Sequence, residues 1–136
     1  MKVIPYLNFD GRCAEALKFY EKILGGRTLM KMTWGESPMG AKIEPAWKDK
    51  IIHATFSLDG QEMGAADSPP EYYQKPQGLS ITLNIASPEQ AEKIFKALSE
   101  NGKVSMPIQE TFWARRFGMF TDQFGIPWMI NCGMTA

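Results

Sequence analysis

Apolar residues at positions 91, 94, 95 and 98 recur at i, i+3, i+4 and i+7, the spacing that lays one stripe along a helix. Ser87-Pro88-Glu89-Gln90 stands just before them: a hydroxyl at the N-cap, proline at the first helical position and Gln at the third. That is a capping-box arrangement, in which side chains satisfy N–H groups that the first turn leaves open. Asn101-Gly102 stops the helix, with Gly102 expected in the left-handed conformation. A second helix is predicted over 12–24. Cys13, Ala16, Leu17, Tyr20, Ile23 and Leu24 share one face, and Gly25-Gly26 closes it. Phe19 falls off that stripe, toward a sheet edge or a partner chain, and Arg12, Lys18, Glu21 and Lys22 form a solvated face.

Strand patterns fill the rest. Val3–Phe9 precedes the first helix and Leu79–Ile85 the second. Ile51–Leu58 alternates, with Ile52, Ala54, Phe56 and Leu58 on one side and Ile51, His53, Thr55 and Ser57 on the other. Asp59-Gly60 is a hairpin turn that returns the chain through Gln61–Ala66. Thr28–Trp34, Val104–Met106, Gly118–Thr121 and Pro127–Asn131 complete the strands, with a tight turn at Phe124-Gly125. Pro- and Gly-containing stretches at 36–48 and 68–77 read as loops.

The halves echo each other. Leu7-Asn8-Phe9 and Leu83-Asn84-Ile85 stand 76 positions apart; Ala14-Glu15 and Ala91-Glu92 stand 77 apart, as do Leu17 and Ile94. The predicted fold is therefore α+β and built from two βαβββ modules. Module one covers about 1–67, the linker 68–77 and module two about 78–132. Each module buries its helix on one sheet face and leaves the other to a cleft.

Composition narrows the function classes. The chain has 136 residues, 44% of them apolar and 22% charged, which suits one folded domain. Fifteen basic residues balance fifteen acidic ones, so no basic surplus is available for nucleic acid, and Arg115-Arg116 is too short a cluster to supply one. No segment approaches the length of a membrane span, and the first residues do not form a signal peptide. Cys13 and Cys132 make no disulfide framework, and with nine methionines they suit a reducing, cytoplasmic setting.

Several segments carry a family likeness. Pro5-Tyr6-Leu7-Asn8-Phe9-Asp10-Gly11 with Ala14-Glu15-Ala16-Leu17-Lys18-Phe19-Tyr20 resembles the opening of the vicinal oxygen chelate superfamily, in its PhnB-like branch. Ile52-His53-Ala54, Asp59-Gly60 and Ala66-Asp67 continue the pattern. Gln109-Glu110-Thr111-Phe112-Trp113-Ala114, Phe117-Gly118, and the run from Thr121 to Asn131 are its most specific part. This branch is often labelled a 3-demethylubiquinone-9 3-methyltransferase domain. The resemblance implies paired βαβββ modules in curled mixed sheets (the glyoxalase, bleomycin-resistance and dioxygenase fold), a homodimer, and a concave cleft in each sheet.

The resemblance also implies where a catalytic divalent metal would sit. Metal-dependent members take ligands from the first strand and from a late strand of each module. Here those positions fall on Ile4 or Pro5, on Ser80, within Met63-Gly64-Ala65-Ala66, and on Met129. None is an imidazole, carboxylate or thiolate, so no family-type metal and no other cofactor is expected. The methyltransferase label gains no support from the residues either: no glycine-rich strand-to-helix loop is present, and Gly25-Gly26-Arg27 ends a helix.

His53 is the single histidine. It reads either as a strand residue hydrogen-bonded in place, or as a cleft-lining acid, base or ligand contact beside Thr55. Glu110, Trp113 and Arg115 read either as a dimer contact with surface charges, or as a recognition loop in which aromatic face, carboxylate and guanidinium meet a ligand. His53 and Glu110 are the candidate catalytic groups. Trp34 and Trp128 read as core or pocket wall, with core favoured. Asp67 reads as a turn cap or a cleft-rim ligand contact, Asp122 as a turn residue and Cys13 as packing. The leading expectation is a metal-free protein that binds a small organic molecule and contacts neither nucleic acid nor membrane. An enzyme of the superfamily, or the labelled methyltransferase, is the first alternative. A non-catalytic dimeric interaction module is the second.

Overall fold

A computed structural model describes residues 1–133. The chain divides into two compact units, Met1–Gln74 and the residues from Lys75 onward. In the first, β1 (Tyr6–Phe9), α1 (Cys13–Leu24), β2 (Arg27–Thr33), β3 (Ile51–Leu58) and β4 (Gln61–Asp67) follow in order. In the second they are β5 (Ile81–Asn84), α2 (Pro88–Leu98), β6 (Lys103–Gln109), β7 (Arg116–Thr121) and β8 (Pro127–Cys132). The sheet orders are β1-β4-β3-β2 and β5-β8-β7-β6. In each unit the first strand runs parallel to the last, and the other pairs are antiparallel. Both units therefore have the βαβββ topology that the echo predicts.

The helices form where the apolar stripes are. Cys13, Ala16, Leu17 and Tyr20 of α1 are buried, and Tyr20 meets Phe56 edge-on at 6.4 Å. Ala91, Ile94, Phe95 and Leu98 of α2 are buried likewise, and Phe95 meets Phe120 at 5.1 Å. Full burial of an aliphatic or aromatic side chain stabilises by roughly 1.5–3 kcal/mol, so these stripes hold the helices on their sheets. At the start of α2 the Ser87 hydroxyl accepts from the Gln90 N–H (3.2 Å) and bonds the Glu89 carboxylate (2.9 Å).

Several boundaries differ from the pattern-based ones, each for a physical reason. β1 begins at Tyr6, not Val3, because Pro5 has no N–H to give; only its carbonyl joins the ladder, accepting from Gly64. β6 runs on through Pro107 to Gln109, which an edge strand with irregular pairing permits. The 36–48 loop holds two 3-10 turns, Gly40–Lys42 and Pro45–Trp47. After α2 the left-handed residue is Asn101 (φ 62°), not Gly102. Gly102 is needed for space, since a Cβ there would collide with the Thr121 carbonyl.

The buried carboxylates organise the loops. Asp122 accepts from the N–H groups of Phe124 (2.9 Å) and Ile126 (3.0 Å) and from the Trp128 indole (2.8 Å), holding the β7–β8 turn. Asp67 is 1% exposed and takes the N–H groups of Cys13 and Ile51, both at 2.9 Å. It therefore caps α1 and does not reach a cleft rim as a ligand contact.

Candidate functional site

Each sheet has one face under its helix and one face opposite, and strand alternation decides which residues stand on the second. In the first unit Leu7, Ala65, Ala54 and Phe56 are buried on the helix side. The register then puts Tyr6, Gly64, Thr55 and Met30 in one row on the open side, with His53 and Met32 paired beside them. Ile51, which alternation alone would leave on that side, is buried where β3 starts against Asp67.

Tyr6 reaches across this face. Its ring leaves β1, crosses β4 above Gly64, and brings its hydroxyl to Nδ1 of His53 on β3 at 2.9 Å. The two rings lie 5.7 Å apart and 20° from parallel. Gly64 makes the crossing possible: a Cβ at that position would run into the tyrosine ring. Burial, and secondarily Cys13, push the Tyr6 phenol above its ordinary value, so it stays protonated near neutral pH. Behind the sheet Cys13 is fully buried and its thiol is pushed up to about 12 by burial and then by Asp67, which fits the packing role.

The second unit's open face carries Thr82, Asn84, Met119, Met129, Asn131 and Phe117. The Asn131 amide donates to Asn84 Oδ1 at 3.1 Å, and the Ser80 hydroxyl meets the Met129 sulfur at 2.9 Å. At one end lies a hollow of about 380 Å³, bordered by Ser80, Ser105, Met119, Thr121, Pro127 and Trp128. Trp128 is 1% exposed and fixed by Asp122, so it acts as a rigid floor and not as an open stacking surface. Over Phe117 stands Trp113, 38% exposed, with ring centroids 5.2 Å apart, and Phe112, 89% exposed, abuts Trp113 at 4.6 Å. The Thr111 hydroxyl bends this loop by accepting from the N–H groups of Trp113 and Ala114.

Comparisons with known proteins fix the family. The family model described as 3-demethylubiquinone-9 3-methyltransferase matches residues 1–131. Protein YjdN of Escherichia coli K12 is 36% identical over 139 residues, covering 96% of this chain and 95% of that one. The chain belongs to this PhnB/YjdN-like family. The crystal structure of protein PA1353 from Pseudomonas aeruginosa is 43% identical, covers 99% of each chain and has a TM-score of 0.89. FosX, described as a genomically encoded fosfomycin resistance protein of Listeria monocytogenes, shares the fold alone, at 12% identity and a TM-score of 0.66 over 98% and 93% of the two chains. The fold is thus that of the vicinal oxygen chelate superfamily.

Against the metal sites of that superfamily, this PhnB/YjdN-like chain offers the wrong donors. Ile4 and Pro5 have no ligating side chain, Ser80 is engaged with Met129, and Gly64 is the space beneath Tyr6. Among the described residues no three His, Cys, Asp or Glu side chains come together. The residues present do not fit a family-type divalent ion.

The expected site residues fall into two groups. His53 and Thr55 stand on the first unit's open face; Glu110, Trp113, Arg115 and Trp128 belong to the second unit. Arg115 turns its guanidinium to the Ala86 carbonyl (3.1 Å), just before the Ser87 cap, so its charge serves the approach to α2. Glu110 is exposed after β6. Trp34 gives its indole N–H to the Asp67 carbonyl at 3.1 Å. The residues that pattern reading misses are Tyr6 and Gly64. A glycine inside an otherwise regular strand signals that some group approaches closely, without saying which one.

Proposed function

We propose that this chain binds a small organic molecule on the sheet faces its helices leave uncovered, without a divalent cation to hold it, and that it does so as a homodimer. The observation that carries this reading is the Tyr6–His53 pair. A fixed polar pair with the exposed thioethers of Met30 and Met32 beside it has the composition of a ligand pocket, in which apolar surface is combined with a few positioned polar groups. The second unit repeats the recipe with Asn84 and Asn131 among Met119, Met129 and Trp113.

Methyl transfer is the activity named in the family's description. The strand-to-helix connections here are Asp10-Gly11-Arg12 and Ile85-Ala86-Ser87, neither a glycine-rich cradle for a nucleotide-like cofactor. Binding is therefore the better-supported reading, with His53 the group best placed for any proton transfer.

A thermal-shift screen of small organic acids, amides and aromatic compounds tests the proposal, run in chelator and repeated with added Mn²⁺, Zn²⁺ or Ni²⁺. A ligand specific to the native state raises the melting temperature by mass action. The expected result is stabilisation by at least one compound class, undiminished by chelator. Stabilisation that appears only with an added metal would overturn the metal-free part, and no stabilisation by any compound would overturn the binding reading.

A further inference from the structure

We propose that Tyr6 fixes His53 as a hydrogen-bond donor, and that the Nε2–H so presented, with Thr55 beside it, receives the oxygen of a small organic carboxylate lying against Met30 and Met32. This deepens the small-molecule reading above and rests on it.

A neutral imidazole carries its proton on one nitrogen only, and the partner of the other decides which. Here Nδ1 faces the Tyr6 hydroxyl at 2.9 Å. A phenol O–H is a strong donor, whereas its oxygen, conjugated into the ring, accepts poorly. The favoured arrangement has Tyr6 donating to Nδ1, which leaves the proton on Nε2. The pair is held rigidly, because the tyrosine ring lies over Gly64 and parallels the imidazole.

The surroundings choose the ligand's charge. Along the open rows of the first sheet, Tyr6, Asn8, His53, Thr55, Gly64, Met30 and Met32 include no carboxylate. The acid on the same face, Glu62, stands farther along β4, where Lys2 lies 3.5 Å from it. With the Tyr6 proton given to Nδ1, the other polar side chains of these rows, Thr55 and Asn8, are uncharged and able to donate. Two exposed thioethers give the ligand's body an apolar surface. A carboxylate on a small aromatic or aliphatic frame meets both conditions.

The single histidine makes the test direct. Long-range ¹H–¹⁵N correlation spectra of the full chain, taken at about pH 8, report the tautomer and then follow a titration with benzoate. The expected wild-type spectrum has Nε2 protonated and Nδ1 bare, and benzoate shifts Nε2. Tyr6→Phe, checked for folding by its melting curve, should move the Nδ1 resonance and mix the tautomers. His53→Ala should weaken benzoate binding about tenfold, the loss of one hydrogen bond to a charged group. A wild-type tautomer protonated at Nδ1, or benzoate binding unaffected by His53→Ala, would overturn the proposal. Compounds from the screen that shift the methyl signals of Met119 and Met129 while benzoate leaves Nε2 unmoved would sink this site and keep the broader reading. No binding by any compound would sink both.

Discussion

Asp67 places its carboxylate where two elements begin with open N–H groups, at Cys13 on the first turn of α1 and at Ile51 on the first residue of β3. Burial pushes its pKa above the ordinary carboxylate value, outweighing the N–H donors and Lys50 that favour the charged form. A carboxyl with a raised folded-state pKa contributes stability that is present below the unfolded value of about 3.9 and lost as pH rises through the folded one. Asp67→Asn removes that titration and keeps one acceptor for two donors, so it should cost about 1–3 kcal/mol. Urea unfolding at about pH 3 and pH 7 should find the variant less stable at both, with the wider gap at acid pH. A gap wider at neutral pH would mean that the backbone donors outweigh burial. In the sequence Asp67 is legible as a strand-ending acid that suits a turn. Its partners stand 54 and 16 positions away, a separation that local patterns do not encode.

Elements were readable where one stripe or one cap decides them. The two helices were, because Ala91, Ile94, Phe95 and Leu98, and Cys13, Ala16, Leu17 and Tyr20, bury along the predicted lines. Strand ends were less so: the predicted Val3–Phe9 strand runs through Pro5, where the ladder in fact begins at Tyr6, while the predicted Val104–Met106 strand stops short of Pro107, and only the sheet order reveals that Pro107 sits on edge strand β6, where a missing N–H costs little. The same locality makes α2 testable. Ser87→Ala removes the acceptor for the Gln90 N–H at the helix start and should lower stability by about 1 kcal/mol. Shifts of the urea midpoint at constant slope measure it. A change below about 0.3 kcal/mol would place the stability of that terminus in the buried stripe and not in the cap, given that peptide and protein caps alike usually exceed it.

At the scale of the whole chain, duplication was visible in Leu7-Asn8-Phe9 and Leu83-Asn84-Ile85, because the first strand of each unit must pair in parallel with the last and pack beneath its own helix. Patterns could not disclose the side chains that cross strands, since Tyr6 and His53 meet only after β4 has been inserted between β1 and β3. The same topology leaves apolar side chains in the open: Tyr6, Met30 and Met32 in the first unit, Val104, Phe112 and Trp113 in the second. Large apolar side chains gathered on a surface mark a place where another molecule sits. With fifteen charges of each sign, the chain has no net repulsion to keep two copies apart. A homodimer is therefore expected, with a second copy covering part of these surfaces. Sedimentation equilibrium at about 10 μM should return a mass near twice 15.3 kDa. Phe112→Glu puts a charge on the most exposed of the second unit's aromatics; a fall toward the single-chain mass would assign the contact to the loop at 110–115. An unchanged dimer would assign it elsewhere and leave Trp113 available to a ligand. A wild-type chain that sediments at 15.3 kDa over the whole concentration range would end the dimer proposal.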